Sequence, residues 1–328
     1  MMKVIISDST FSSDKPEREI LQRRGCSLVR YQCETEDQLI EAGRGAHAAL
    51  VQYANITRRV LESWTDCGII VRYGIGTDNI DLRAAEEFGI TVCNVPTYCL
   101  DEVADHTAAL LLSGLRKVLP LHEAVRRGVW DVERIAKPLP AFTDTVVGLV
   151  GFGKIAVRVA ERLVPFHLQL RMYDPHADPK AAERLGVRPA VTLEELLREA
   201  DAISLHVPLT PETRYLLNRR TIAWMKPNAF VVNTSRGALI DAGALAEALK
   251  ERRLGGAALD VLEREPLEPN HPLANCDRIL FTPHAAYYSE RSLERLQQQA
   301  AQEIVRWLEG NPLASPVNTG NIAKRGGR

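Results

Sequence analysis

At 328 residues, 45 % of them hydrophobic, the chain is long enough to bury a substantial core and to form two domains. With 41 basic against 42 acidic residues the formal net charge is −1, which gives no global reason to expect nucleic acid or an anionic membrane surface as a partner. Cys26, Cys33, Cys67, Cys93, Cys99 and Cys276 are scattered without metal-type pairing. That spacing argues against a metal site and a disulfide framework, and suits a reducing, cytoplasmic setting. The first residues are strand-like and soon turn charged, so no signal sequence is expected. The longest apolar region, 108–115, is broken by Ser113 and Gly114 and is too short to span a bilayer.

Short apolar runs at 4–7, 27–31, 48–51, 69–72 and 90–93 alternate with polar, helix-like segments, which predicts a parallel sheet. Residues 101–117 read as a long helix, acidic early and basic late, as the helix dipole prefers. A less regular stretch follows, through Gly128 and Trp130 to Lys137-Pro138-Leu139-Pro140, whose prolines suit an extended crossing rather than another helix. A second alternating series then begins, with strands expected at 145–150, 168–173, 202–205, 229–233 and 256–259. Residues 289–308 read as one amphipathic helix, free to return to the first series, and 323–328 as a frayed tail.

Within the second series, Gly148-Leu149-Val150-Gly151-Phe152-Gly153-Lys154-Ile155-Ala156 delivers two close glycines into a helix start. Gly151 permits the tight turn, Gly153 lets backbone approach a pyrophosphate, and Ala156 allows close helix-to-strand packing. The helix N-terminus adds unpaired N–H donors. The next strand ends in Asp174, where such folds place a carboxylate on the ribose hydroxyls, so NAD is expected rather than NADP.

Ligands of doubly wound folds sit beyond the carboxyl ends of strands. Three such ends stand out: Asn233-Thr234-Ser235-Arg236-Gly237, Asp260 to Glu265, and Thr282-Pro283-His284 after the run 279–281. Transfer of hydride to a carbonyl needs a proton donor near neutral pH, which His284 offers. Glu265 is the expected partner that orients its imidazole, and Arg236 presents a planar fork suited to a carboxylate.

These segments, together with Ala258 to Leu267 and Thr282-Pro-His-Ala-Ala286, resemble the D-isomer-specific 2-hydroxyacid dehydrogenases over nearly the whole chain. The resemblance implies two doubly wound parallel α/β domains with a cleft between them: a flavodoxin-like substrate domain (1–98 plus 290–328) and a Rossmann NAD domain (99–289). It implies Arg236 as substrate-carboxylate binder, Glu265 as the histidine's partner and His284 as acid/base. It further implies cofactor contacts from Thr107, Gly151, Phe152, Gly153, Lys154, Ile155, Asp174, His206, Val207, Pro208, Thr213, Thr234 and Asp260, and a small 2-hydroxy or 2-oxo acid as substrate. Arg72-Tyr73-Gly74-Ile75-Gly76 looks like the family's substrate loop, with amides from Tyr73 to Gly76 facing the substrate carboxylate. A homodimer is implied, joined mainly through the NAD domains and embraced by residues 101–130.

Arg72, Asn94-Val-Pro, Glu102-Val-Ala-Asp105 and His284-Ala-Ala-Tyr-Tyr-Ser-Glu290 are similar to the C-terminal-binding-protein branch. That branch includes NAD(H)-responsive corepressor scaffolds, which stand as the alternative to an enzyme. Tyr287 replaces that branch's tryptophan, keeping an aromatic wall of different size. A short phosphoglycerate dehydrogenase is the alternative among enzymes.

Overall fold

The computed structural model describes residues 1–318, and the tail expected to fray at 323–328 lies outside the described residues. The chain divides into two units, Met1–Cys99 with the segment from Ser289 on, and Leu100–Tyr288. Both are layered α/β structures in which every strand pair is parallel.

The first unit holds β1 (Lys3–Ile6), β2 (Ser27–Arg30), β3 (Ala48–Val51), β4 (Ile69–Arg72) and β5 (Thr91–Cys93) in the order β2-β1-β3-β4-β5. This is the flavodoxin-like order. β1, β3, β4 and β5 are nearly continuous apolar runs because helices cover both faces of a parallel sheet. Helix Glu290–Leu308 begins at Ser289, whose side chain accepts from Ser292 N, and it buries Leu296, Ala300, Ala301 and Ile304. The segment after it returns to the sheet edge, where Asn318 accepts from Val92 N at 2.8 Å.

The second unit holds β6 (Val146–Val150), β7 (Gln169–Tyr173), β8 (Arg188–Pro189), β9 (Ala202–Leu205), β10 (Phe230–Asn233), β11 (Gly256–Leu259) and β12 (Ile279–Phe281). Their order, β12-β11-β10-β9-β6-β7-β8, is that of the Rossmann fold with a seventh strand added at one edge. The order reverses between β6 and β9, the switch point at which such sheets bind ligands. Residue pairing aligns Tyr173, Val150, Leu205, Asn233, Leu259 and Phe281 in one row across six strands. The loops after these six residues therefore leave the sheet on one line.

Two departures from expectation concern residues 116–144. The long helix ends at Leu115, and Lys117 takes a left-handed conformation (φ 52°). The stretch read as irregular contains two helices, Val118–Arg126 and Val132–Ala136. Pro120 is tolerated because it falls in the first helical turn, where its missing N–H has no helical acceptor. Asp131 caps the second helix by accepting from Arg134 N at 3.1 Å. Among the described residues no helix is long and apolar enough to cross a membrane.

Candidate active site

At the switch point, Gly151 adopts φ +88° and donates its N–H to Tyr173 O at 2.9 Å. A Cβ there would lie 2.9 Å from the carbonyl carbon of His206 and from Val207 Cγ1, so both conformation and space require glycine. Phe152 is buried, and its N–H donates to Asp174 Oδ2 at 2.7 Å, while His176 N donates to Oδ1 at 2.8 Å. Asp174 thus ties the glycine turn to the end of β7. Gly153 is the N-cap of helix Lys154–Leu163, which has no side-chain cap, and a Cβ on Gly153 would meet nothing within 4 Å. The helix's first N–H groups, beginning with those of Lys154 and Ile155, have no helical acceptor, the arrangement that receives an anion.

Beside this turn, His206 donates its backbone N–H to Val150 O at 2.7 Å. Its Nε2 is buried without a hydrogen-bond partner among the described residues, and burial pushes the imidazole down to about 4, so it is neutral near pH 7. Val207 and Pro208 continue from it, and Thr213 closes the segment by donating its hydroxyl to Pro208 O at 2.7 Å. An open glycine cradle, an uncapped helix start, a carboxylate at the neighbouring strand end and an orphaned buried donor or acceptor all fit a dinucleotide.

The next three strand ends carry the candidate chemical groups. After β10, Asn233 donates from Nδ2 to Arg236 O at 2.9 Å and accepts from Ser235 N at 3.0 Å, which curls the loop and presents Arg236. Thr234, in the same loop, meets Thr107 hydroxyl to hydroxyl at 2.8 Å, and Thr107 is fully buried. After β11, the carboxylate of Asp260 is fully buried and turns toward the loop that follows β12. It accepts from Thr282 Oγ1 at 2.5 Å, Ala285 N at 2.8 Å and Ala286 N at 3.0 Å. Asp260 thus enters the site as a brace for that loop.

Within the loop, His284 occupies the left-handed region (φ +51°) and its N–H donates to Asp260 O at 2.8 Å. Its Nδ1 lies 2.9 Å from Glu265 Oε2, while Glu265 Oε1 accepts from Leu262 N at 2.9 Å. Burial raises the Glu265 carboxyl, but the hydrogen bonds from His284 and Leu262 and the charges of His284 and Arg236 outweigh it, leaving Glu265 below the usual carboxylate range. An ionised Glu265 accepts a hydrogen bond from Nδ1–H, so Nε2 is the ring nitrogen available to a reactant. The His284 side chain is 45 % exposed, and the ring of Tyr287 stands edge-on at 6.1 Å. This pairing can deliver a proton to, or take one from, an oxygen placed at Nε2.

In the first unit, Arg72 ends β4 and the glycine loop follows. Tyr73 is buried, its hydroxyl donates to Glu17 at 2.6 Å, and its N–H donates to Val51 O at 2.8 Å. Gly74 donates to Arg72 O at 2.9 Å. The expectation that amides from Tyr73 onward face a ligand is therefore corrected for the first two, whose acceptors are internal. Ile75 and Gly76 continue the loop, anchored by Asn94 Nδ2 on Ile75 O at 2.6 Å.

Residues 108–286 match the family described as D-isomer specific 2-hydroxyacid dehydrogenase, NAD binding domain. The chain belongs to this family of oxidoreductases. The D-3-phosphoglycerate dehydrogenase of Methanocaldococcus jannaschii is 38 % identical over 289 residues, covering 88 % of this chain and 55 % of that one. This chain thus spans little more than half of that relative's length. The glyoxylate reductase of Thermofilum pendens is 35 % identical over 318 residues, 91 % of this chain and 92 % of that one. The apo-structure of D-lactate dehydrogenase from Escherichia coli superposes with a TM-score of 0.81 at 31 % identity, covering 96 % and 100 % of the two chains. As in the family, the nucleotide-binding unit is a Rossmann fold and its cofactor is NAD.

Histidine 106, on helix Leu100–Leu115, was not singled out from the sequence, yet its Nε2 lies 3.0 Å from Thr282 Oγ1. Nothing local marks it, because its partner is 176 residues away.

Replacing Gly151 with Ala should weaken NADH binding at least tenfold, because the new methyl must displace the backbone at His206. Fluorescence titration with NADH checks this, with circular dichroism to confirm retained fold; unchanged affinity would remove the glycine turn from the cofactor site.

Proposed function

We propose that the chain is an NAD-dependent dehydrogenase that interconverts a D-2-hydroxy acid and its 2-oxo acid. The observation that carries this reading is the contact of His284 Nδ1 with Glu265 at 2.9 Å, in a carboxylate environment that also feels Arg236. Gly151, Phe152, Gly153, Lys154, Ile155 and Asp174 would hold the dinucleotide on one side, and His206, Val207, Pro208, Thr213 and Thr234 on the other. When bound, the nicotinamide supplies or accepts the hydride.

The chain's own groups do the rest. In reduction, His284 donates the Nε2 proton to the carbonyl oxygen, and Glu265 steadies the ring. Arg236 engages the substrate carboxylate through its planar fork, and the amides of Ile75 and Gly76 assist it. Asp260 and Thr107 serve the site by bracing its loops, and Arg72 and Tyr287 bound the substrate's side chain. In oxidation the neutral imidazole accepts the hydroxyl proton.

The substrate class is a small 2-oxo acid such as glyoxylate or pyruvate, by likeness to the glyoxylate reductase and the D-lactate dehydrogenase, and the likeness to phosphoglycerate dehydrogenase adds 3-phosphoglycerate in the oxidative direction. The likeness of Arg72 and of 284–290 to the C-terminal-binding-protein branch supports a second reading, a corepressor-like scaffold whose assembly responds to NADH. We also propose a homodimer formed through the Rossmann units. Its support is the apolar surface on and beside the two helices of 118–136, where Val118, Val125, Trp130 and Val132 are 53 %, 48 %, 88 % and 61 % exposed.

A steady-state assay of NADH with a panel of 2-oxo acids should give turnover, and His284→Gln should reduce kcat by 10²-fold or more with NADH binding retained. Turnover at the original rate in that variant would exclude His284 as proton donor, and no turnover on any acid with NADH-dependent partner capture would favour the scaffold. Glu265→Gln replaces the carboxylate that accepts from His284 Nδ1 with a neutral amide, so the ring is oriented less firmly. The kcat for 2-oxo acid reduction should therefore fall by about tenfold or more with NADH binding retained, and wild-type kcat would disconnect the pair. Sedimentation should report a dimer that Trp130→Glu weakens; a wild-type monomer would end the dimer proposal.

A further inference from the structure

Asp260 gathers four of the hydrogen bonds that hold the loop carrying His284. Its carboxylate accepts from Thr282 Oγ1, Ala285 N and Ala286 N, and its carbonyl accepts from His284 N. Behind this ring stands His106, whose Nε2 is 3.0 Å from Thr282 Oγ1 and 3.6 Å from Asp260 Oδ1.

The direction of the chain of bonds follows from counting protons. Thr282 has one hydroxyl proton, and it goes to the Asp260 carboxylate. The Thr282 oxygen then presents a lone pair toward His106, so His106 must carry its hydrogen on Nε2 and donate. With that donor in place the Thr282 hydroxyl has one orientation. Without it the hydroxyl is free to turn elsewhere, and Asp260 Oδ1 loses one of the donors that hold the carboxylate against the two loop amides.

The neighbouring residue repeats the arrangement on the other loop. Thr107 donates its hydroxyl to Val103 O at 2.7 Å, so across the 2.8 Å contact Thr234 is the donor and Thr107 the acceptor. Thr234 lies two residues before Arg236. Consecutive residues of one helix thus brace the two loops that present the imidazole and the guanidinium.

Resting on the dehydrogenase reading above, we propose that His106 is a positioning residue: by donating from Nε2 to Thr282 it holds Asp260, and through Asp260 the backbone that aims His284. It touches neither substrate nor the reacting atoms. Its contribution is orientation, for which small displacements are costly.

The test compares His106→Leu, which keeps bulk and loses the donor, with His106→Gln, which retains a side-chain N–H. In His106→Leu, kcat for 2-oxo acid reduction should fall by about 10- to 100-fold with KM for the acid unchanged. Amide exchange at Ala285 and Ala286 should accelerate while exchange in β6 stays at the wild-type rate. His106→Gln should restore both. Wild-type kcat and wild-type exchange at 285–286 in His106→Leu would overturn the proposal, as would a loss of protection spread through β6, which would mean general packing. Should His106→Leu fail to fold, Thr282→Val removes the same link and is judged on the same readouts. If the wild-type protein reduces no 2-oxo acid, the dehydrogenase reading falls by itself, and exchange at 285–286 still decides whether His106 holds this loop.

Discussion

The alignment of six parallel strand ends in the Rossmann unit is the constraint on which the site depends. Tyr173, Val150, Leu205, Asn233, Leu259 and Phe281 are paired in one row, so the residues that follow them start from the same height above the sheet. A slip of β12 by one residue against β11 would reverse the faces of its side chains and take Thr282 away from Asp260. Burial of the strands on both faces is what prevents the slip, because every alternate register would drive polar loop residues into the clusters around Leu205, Val231 and Leu259 or around Leu149 and Val232.

On that platform, the left-handed backbone at His284 carries a cost of roughly 1–3 kcal/mol for a residue with a Cβ. The bonds gathered by Asp260 offset it: each hydrogen bond to a charged group contributes about 1.5–3 kcal/mol. The result is a rigid elbow with its imidazole turned to Glu265. Burying a carboxylate is ordinarily unfavourable, but backbone N–H groups and a hydroxyl solvate Asp260 as water would. The fold thus uses two carboxylates differently. Asp260 shapes the loop, and Glu265 sets the tautomer of the ring.

Much of this was legible in the sequence, for reasons that also mark where legibility stops. Runs such as Val147 to Val150 and Ala202 to Leu205 declare buried strands through their own composition, and the Gly151 turn declares itself through glycine spacing. The two helices between residues 118 and 136 were hidden by Gly128 and by Pro138 and Pro140, which punctuate the sequence pattern beside them. β8 is two residues long and contains Pro189, so no periodicity exists to be read. At Tyr73 and Gly74 the glycine-rich pattern suggested free amides, yet which acceptors those amides meet depends on Val51 and Arg72 in the folded unit. His106 is the clearest case: its meaning lies entirely in a contact made across the fold.

Gly237 shows how the Arg236 and Glu265 loops became a single object. A Cβ at this position would sit 1.9 Å from the carbonyl carbon of Leu262 and 2.2 Å from Glu263 N, so the backbone after Arg236 lies directly on the backbone before Glu265. Glycine is required here by close approach, and no flexible side chain is available to yield. The same approach explains an electrostatic fact, since the Arg236 charge is among the influences that lower the Glu265 carboxyl. Leu262 N, in the contacted segment, donates to Glu265 as well. Steric contact, hydrogen bonding and charge therefore act through one junction, and any change that lifts the Arg236 loop must also disturb the carboxylate that orients His284. Arginine, glutamate and histidine come from three strand ends, but their positions are not independent variables.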